Sequence, residues 1–123
     1  GDVHYDKGDY EKAEEYLKKA LSIKKEIGVG TDELVVTTTS LFLTFKYLSK
    51  EYDENKIHML IKEAENIEYD LNYRIYQLLE DKSYLETAYN QTQEKADAMD
   101  DELKEKFLTY PIPKQIIEEY ILL

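Results

Sequence analysis

The stretch Lys7-Gly-Asp-Tyr-Glu-Lys-Ala-Glu-Glu-Tyr-Leu-Lys-Lys-Ala-Leu21 decides the fold of this chain. A glycine and an aspartate form a turn near its start, and the spacing predicts a helix over residues 9–27. Two of the apolar residues are alanines, which let a neighbouring helix approach closely. The residues that share the apolar face at helical spacing are Tyr10, Ala13, Leu17, Ala20 and Leu21. The stretch therefore predicts one helix of an antiparallel helix pair.

The same residues resemble the tetratricopeptide repeat. In that family Gly-x-Tyr marks the turn between two helices, and Gly8 with Tyr10 takes that place here. Small, large and small residues follow on the second helix, at positions taken by Ala13, Leu17 and Ala20. The resemblance implies an all-α fold, in which antiparallel helix pairs stack as a right-handed solenoid that ends in C-terminal capping helices.

The organisation of the chain follows from its length and from this repeat. With 123 residues and 42% hydrophobic content, the chain is long enough for one domain over 1–123. We expect a first repeat at 1–28 with a truncated first helix, degenerate repeats at 31–69 and 70–99, and capping helices at 100–123. No initiator methionine is present and the first repeat starts in mid-helix, so we expect a fragment of a longer array.

The ends of the later helices are predicted from capping residues. Thr31 and Asp53 are expected to cap the second and third helices, because both side chains can accept a hydrogen bond from a free N–H of the first turn. Ser83 is expected to cap another helix, with Glu86 completing a capping box. Pro111-Ile-Pro113 is expected to end one helix and to impose an extended step before the last.

The β-branched run Val35-Val-Thr-Thr-Thr39 leaves two interpretations open. Valine and threonine favour strands, so the run read alone could be an extended piece of about six residues. The apolar residues of the longer segment nevertheless step at helical intervals, from Leu34 to Leu41, Phe45 and Leu48. We therefore predict a helix.

The C-terminal part adds a second resemblance. Asp81-Lys-Ser-Tyr-Leu-Glu-Thr-Ala-Tyr89, Phe107-Leu-x-Tyr-Pro-Ile-Pro-Lys114 and Ile117-Glu-Glu119 look like a recurrent ending of tetratricopeptide arrays in large bacterial signalling proteins. Those proteins resemble fusions of the array to a cyclase, kinase or ATPase module. The resemblance implies a sensing or scaffolding segment, and none of the partner module's motifs is present.

Charge and composition exclude several classes of partner. The 27 acidic and 16 basic residues give a net charge of −11, which disfavours nucleic acid and anionic membranes. No apolar run approaches the roughly 18 to 20 residues that span a bilayer, and no leader opens the sequence. We therefore expect a soluble, cytoplasmic protein. Cysteine is absent, which excludes disulfides, thiolate metal sites and thiol nucleophiles.

No pattern indicates catalysis, a cofactor or a metal. The sequence contains neither phosphate-binding glycine loop, and its two histidines lack the His-Glu-x-x-His spacing. His4 is interpreted as a packing residue and His58 as a solvent-facing one. The acidic run 97–102 lacks the alternating oxygen ligands and the glycine of a calcium loop, so we interpret it as a solvated helix junction. We expect a non-enzymatic protein without cofactor.

A protein or peptide is therefore the expected partner. The tetratricopeptide resemblance implies a concave surface formed by the first helix of each pair, and Lys46 with Lys50 would make a local positive site there for an acidic segment, unless both lysines are simply solvated. Most of the twelve tyrosines are expected in the core, with some lining the groove. The predicted partner-binding residues are Tyr5, Thr39, Phe42, Lys46, Ser49, Lys50, Tyr73 and Gln77.

Two alternatives to this scaffold function remain. A truncated first repeat exposes Val3, Leu17 and Leu21, which could pair with a second copy as a homodimer or with upstream repeats. The chain could instead be the regulatory arm of a multidomain bacterial signalling enzyme.

Overall fold

The computed structural model describes residues 7–123, and within this range every regular element is a helix. The contacts divide the chain into two compact units, 1–66 and 67–123. The first unit holds α1 (Lys7–Ile27), α2 (Thr31–Tyr47) and α3 (Glu54–Glu63). The second holds α4 (Tyr69–Leu79), α5 (Lys82–Asp97), α6 (Asp101–Thr109) and α7 (Pro111–Ile121).

In the first unit α1 and α2 form an antiparallel pair. Near the start of α1 the ring of Tyr10 stacks on Tyr47, at the end of α2, with 5.0 Å between the ring centroids. At the other end, the Nζ of Lys24 donates to Glu33 Oε1 and to Thr37 Oγ1 in the first turns of α2, both at 2.7 Å. The reversal takes place at Gly28, whose φ of 76° is the left-handed conformation that commonly ends a helix.

Helix α3 packs on α2, also in an antiparallel arrangement. The carboxylate of Asp32, in the first turn of α2, accepts hydrogen bonds from the backbone N–H groups of Glu65 at 2.9 Å and Asn66 at 3.3 Å, just beyond the end of α3. Ile57 of α3 is fully buried. Helix α2 therefore lies between two neighbours, which accounts for the burial of most of its length.

The second unit is built around α5, which contacts α4, α6 and α7. Helices α4 and α5 are joined by a tight turn and run antiparallel, since Asn72 near the start of α4 donates to Gln91 Oε1 in the second half of α5 at 2.8 Å. The core cluster consists of Tyr73, Leu85, Ala88 and Ile116. Ala88 is the small residue in this cluster and leaves room for the larger side chains.

The all-α prediction is confirmed for the described residues. Val35 to Thr39 lie inside α2, so the helical interpretation of the β-branched run is correct. The single domain, the repeat boundaries and the solenoid stacking stay predictions. Val3, His4 and Tyr5 lie outside the described residues. None of the described helices is long and apolar enough to cross a membrane.

Two of the predicted caps are wrong, and one is confirmed. Asp53 caps α3 by accepting the N–H of Lys56 at 3.3 Å. Helix α2 is preceded by Gly30, so Thr31 is already its first helical residue. Helix α5 is capped by Asp81, which accepts both the N–H and the hydroxyl of Ser83. The cap therefore lies two residues earlier than expected, and Ser83 is a donor to it.

The helix before the prolines ends as predicted, and the extended step is the single residue Tyr110, with a ψ of 147°, but the last helix starts earlier than expected. Helix α7 begins at Pro111, and Pro113 lies within its first turn. The first N–H groups of a helix have no intrahelical partner, so proline loses no hydrogen bond there and its fixed φ suits the helix.

The end of α2 provides a test of backbone strain. Ser49 has a φ of 58°, its N–H donates to the carbonyl of Lys46, and the N–H of Lys50 donates to that of Phe45. This is the Schellman arrangement, in which glycine is the usual residue.

We predict that Ser49→Gly raises the free energy of unfolding by about 0.5–1 kcal/mol, because glycine removes the left-handed strain. Ser22→Gly, in the exposed middle of α1, is the matched control and should lower it by about 0.5–1 kcal/mol. Urea unfolding measures both variants. Equal destabilisation by the two glycines would contradict the prediction.

Candidate functional site

Three of the predicted partner-binding residues lie in the interior. The exposed fractions of Thr39, Phe42 and Tyr73 are 0, 6 and 3%. The sequence placed them on an open face, and this placement is wrong because α2 and α4 bury more of their circumference than one apolar stripe. As positioned, these side chains contribute to packing and offer almost no surface to a partner.

Four others are at least partly accessible, and Tyr5 lies outside the described residues. Ser49 and Lys50 are exposed at the end of α2, and Lys46 is half-buried in its last turn. Gln77 is half-buried in α4 of the second unit, where it hydrogen-bonds with the hydroxyl of Tyr73. Whether these residues contact a partner stays a prediction.

Lys50 belongs to a charge cluster. Its Nζ donates to Glu14 Oε1 at 2.7 Å, and the Nζ of Lys18 lies 3.5 Å from Glu14 Oε2. The hydrogen bond from Lys50, followed by the charges of the two lysines, holds the pKa of Glu14 below its usual 4.5, although burial opposes the shift. An acidic segment that approached Lys50 would therefore compete with Glu14.

Aromatic rings surround this cluster. Tyr47 is more than half exposed while its ring stacks on Tyr10. The Nζ of Lys18 lies 5.6 Å from the centroid of the Phe45 ring, within the range of a cation–π interaction. Ion pairs and aromatic contacts thus connect α1 to the end of α2.

A second surface, missed by the sequence analysis, lies beside the face of α1 that packs on α2. We call Tyr16, Ala20, Ile23 and Ile27 the outer face of α1. They recur at intervals of four, three and four residues, and the exposed fractions of the three large side chains are 71, 56 and 70%. Leu21 is buried and Leu17 is half-buried, as expected of the packing face and contrary to the exposure that the homodimer alternative assumed. The helical spacing of Tyr16, Ile23 and Ile27 in the sequence could have identified this surface.

Charged residues flank the outer face of α1 along one edge. Lys12, Lys19 and Glu26 follow one another at seven-residue intervals, so they lie on the same side of the apolar row. All three side chains are exposed. Within the described part of the chain none of them forms an ion pair.

In the second unit a cleft of about 660 Å³ opens between α5 and α7. The rings of Tyr89 and Tyr120 stack within it at 3.9 Å between centroids. Its other lining residues are Lys82, Ser83, Glu86, Ile121 and Leu123. The lining mixes both signs of charge with apolar groups, so it defines no single ligand chemistry.

A polar contact inside the second unit joins α4 to α7. Burial, and then a hydrogen bond with the Glu119 carboxylate, raise the pKa of the Tyr73 hydroxyl. The second oxygen of this carboxylate, Oε2, is buried and has no hydrogen-bond partner among the described residues. The hydrogen bond with the Tyr73 hydroxyl therefore helps to stabilise the Glu119 carboxylate at the edge of the core.

His58 and the acidic run 97–102 lie where the sequence analysis expected. His58 is exposed and its Nε2 lies 3.4 Å from Glu54 Oε1. Asp100 caps α6 through the N–H of Leu103, and Asp97 accepts from Lys104 at 3.0 Å. Residues 7–123 contain no cluster of three or more side chains arranged to hold a metal ion.

Comparison of the chain with protein-family models, with curated proteins and with solved structures finds no match in any of the three.

We predict that Lys50→Met raises the pKa of Glu14 and lowers the free energy of unfolding at neutral pH. A carboxyl whose pKa is lowered by folding contributes stability above its unfolded pKa and loses this contribution as the pH falls through the folded value. The difference between wild type and variant should therefore vanish in acid. NMR titration of the Glu14 carboxyl and urea unfolding at neutral and acid pH measure it, with Lys62→Met, at an exposed lysine of α3, as control. An unchanged Glu14 titration would contradict the prediction.

We further predict that Tyr73→Phe lowers the free energy of unfolding by about 1–3 kcal/mol, because the Glu119 carboxylate loses its donor. The double variant Tyr73→Phe/Glu119→Leu should recover part of this loss, since it removes the charge as well. Urea unfolding of both variants and of Glu119→Leu completes the cycle. Simple additivity of the two single changes would refute the coupling.

Proposed function

We propose that this chain is a non-catalytic protein-interaction module that binds a partner protein or peptide through exposed helical surface. The observation that carries the proposal is the outer face of α1, where large apolar side chains form one continuous row. Single exposed apolar residues are ordinary on protein surfaces, but contiguous ones are typical of interaction sites.

The geometry of the row favours a helical partner. Positions separated by four, three and four residues form a straight ridge along a helix, which is the pattern that packs against another helix. Ala20 is the small residue in the row, and its place lets a partner side chain approach the backbone of α1. Tyrosine and isoleucine offer large contact areas, and tyrosine is frequent among residues that dominate binding energy.

The concave face that the sequence analysis predicts is a second surface for the same function. Its accessible described residues in the first unit are Lys46, Ser49 and Lys50, since Thr39 and Phe42 are buried. If Lys46→Ala/Lys50→Ala binds every identified partner as tightly as the wild type, this surface takes no part in binding.

The proposal predicts site-specific crosslinking. With a photoreactive phenylalanine in place of Tyr16, the full chain should crosslink to a partner protein in an extract of its source cells, and the same residue in place of exposed Tyr110 should not. Ile23→Asp should weaken binding of the identified partner about tenfold or more, since it places a charge in the apolar contact. The control Met59→Asp changes an equally exposed apolar residue on α3.

Equal crosslinking from Tyr16 and Tyr110, or equal effects of Ile23→Asp and Met59→Asp, would refute the outer face of α1 as a binding site. Circular dichroism of each variant must show unchanged helix content.

A further inference from the structure

We propose that the occupant of the outer face of α1 is the same face of a second copy of this chain, with the two α1 helices antiparallel across a two-fold axis. This inference rests on the proposed function and names the partner of the same surface. The face is complementary to itself in both shape and charge.

The outer faces of two copies match in shape because of the spacing of the row. An antiparallel pairing centred between residues 21 and 22 brings Tyr16 of one copy opposite Ile27 of the second. It also brings Ala20 opposite Ile23. The methyl of Ala20 leaves the space that the larger Ile23 side chain of the second copy fills, and the two-fold axis repeats both contacts. A parallel pairing would instead place alanine opposite alanine and leave a gap.

The charged edge of the outer face is also complementary to the same edge of a second copy. In an antiparallel helix pair the same edge of both helices lies on the same side of the contact, so Lys19 of one copy meets Glu26 of the second, and Glu26 meets Lys19. Both residues are exposed and form no ion pair within the described residues. Two opposite-charge pairs thus form at the rim of the contact, where like charges would have opposed it.

Access to the face is consistent with this partner. Within the first unit α1 packs on α2, and its backbone stays more than 8 Å from that of α3, although the Lys25 side chain reaches Lys56 of α3. The side of α1 that contacts α2 carries Tyr10, Lys18 and Lys24, so the outer face lies elsewhere on the circumference of the helix. A second α1 can therefore pack there without displacing α2.

The first test is the association state of the full 123-residue chain. Sedimentation velocity over a wide range of concentration should show a monomer–dimer equilibrium, and Ile23→Asp should abolish the dimer while Met59→Asp leaves it intact. Lys19→Glu should weaken the dimer about fivefold, because it places two carboxylates together at each rim. The charge exchange Lys19→Glu/Glu26→Lys should restore it. A chain that stays monomeric, or a dimer that Ile23→Asp leaves unchanged, overturns the inference.

The second test is the direction of the helices, and it uses the absence of cysteine from the chain. Tyr16 and Ile27 are separated by about 16 Å along α1. In the antiparallel dimer a mixture of Tyr16→Cys and Ile27→Cys chains should form the mixed disulfide, whereas either chain alone should not crosslink, since its two sulfur atoms are too far apart. Disulfides within each variant and none between them would show a parallel pair and overturn the inference.

The outcomes separate this inference from the proposed function. A monomer that crosslinks to another protein from Tyr16, with the crosslink lost in Ile23→Asp, supports the interaction module and overturns the second copy as its partner. A monomer that gives no such crosslink overturns both.

Discussion

The burial of α2 between α1 and α3 is the constraint on which the first unit depends. A helix buried along most of its length needs apolar groups around much of its circumference, and it must also pair every polar group that it buries. The threonines and serine of α2 meet this demand in part by bonding to the carbonyl four residues back: Thr37 to Glu33, Ser40 to Val36 and Thr44 to Ser40. Thr38 and Thr39 do not, and their hydroxyls lie buried without a partner in the described chain.

This burial explains which sequence predictions succeed. Helical periodicity decided between helix and strand at Val35 to Thr39, although the local propensity of these residues points the other way, because packing on both sides outweighs a few tenths of a kcal/mol per residue. The same burial explains why the prediction of exposed residues on α2 is wrong. A helix with two neighbours has no single open face, so Thr39 and Phe42 could not be placed at the surface from spacing alone.

The smaller errors share a physical origin in competition between neighbouring residues. Thr31 and Ser83 are both suitable caps, yet Gly30 and Asp81 take the position, and a sequence pattern does not rank two adequate candidates. Pro111 does end α6, but a proline is also compatible with the first turn of a helix, so α7 begins at the same residue and earlier than expected. The burial of Tyr73 likewise depends on α7 reaching α4, a contact between segments distant in sequence.

The tyrosines distinguish surface that is covered by packing within the protein from surface that is left exposed. Most of the described tyrosines have an aromatic neighbour, as in the stacks of Tyr10 on Tyr47 and of Tyr89 on Tyr120. Tyr84 lacks one, but burial of its hydroxyl raises its pKa, so its environment is already protein. Tyr16 has neither an aromatic neighbour nor cover within the described chain, and it stands in line with two exposed isoleucines. With 71% of its surface exposed, this ring contributes little to the packing of the described part of its unit, which is the reason for proposing the outer face of α1 as a binding surface.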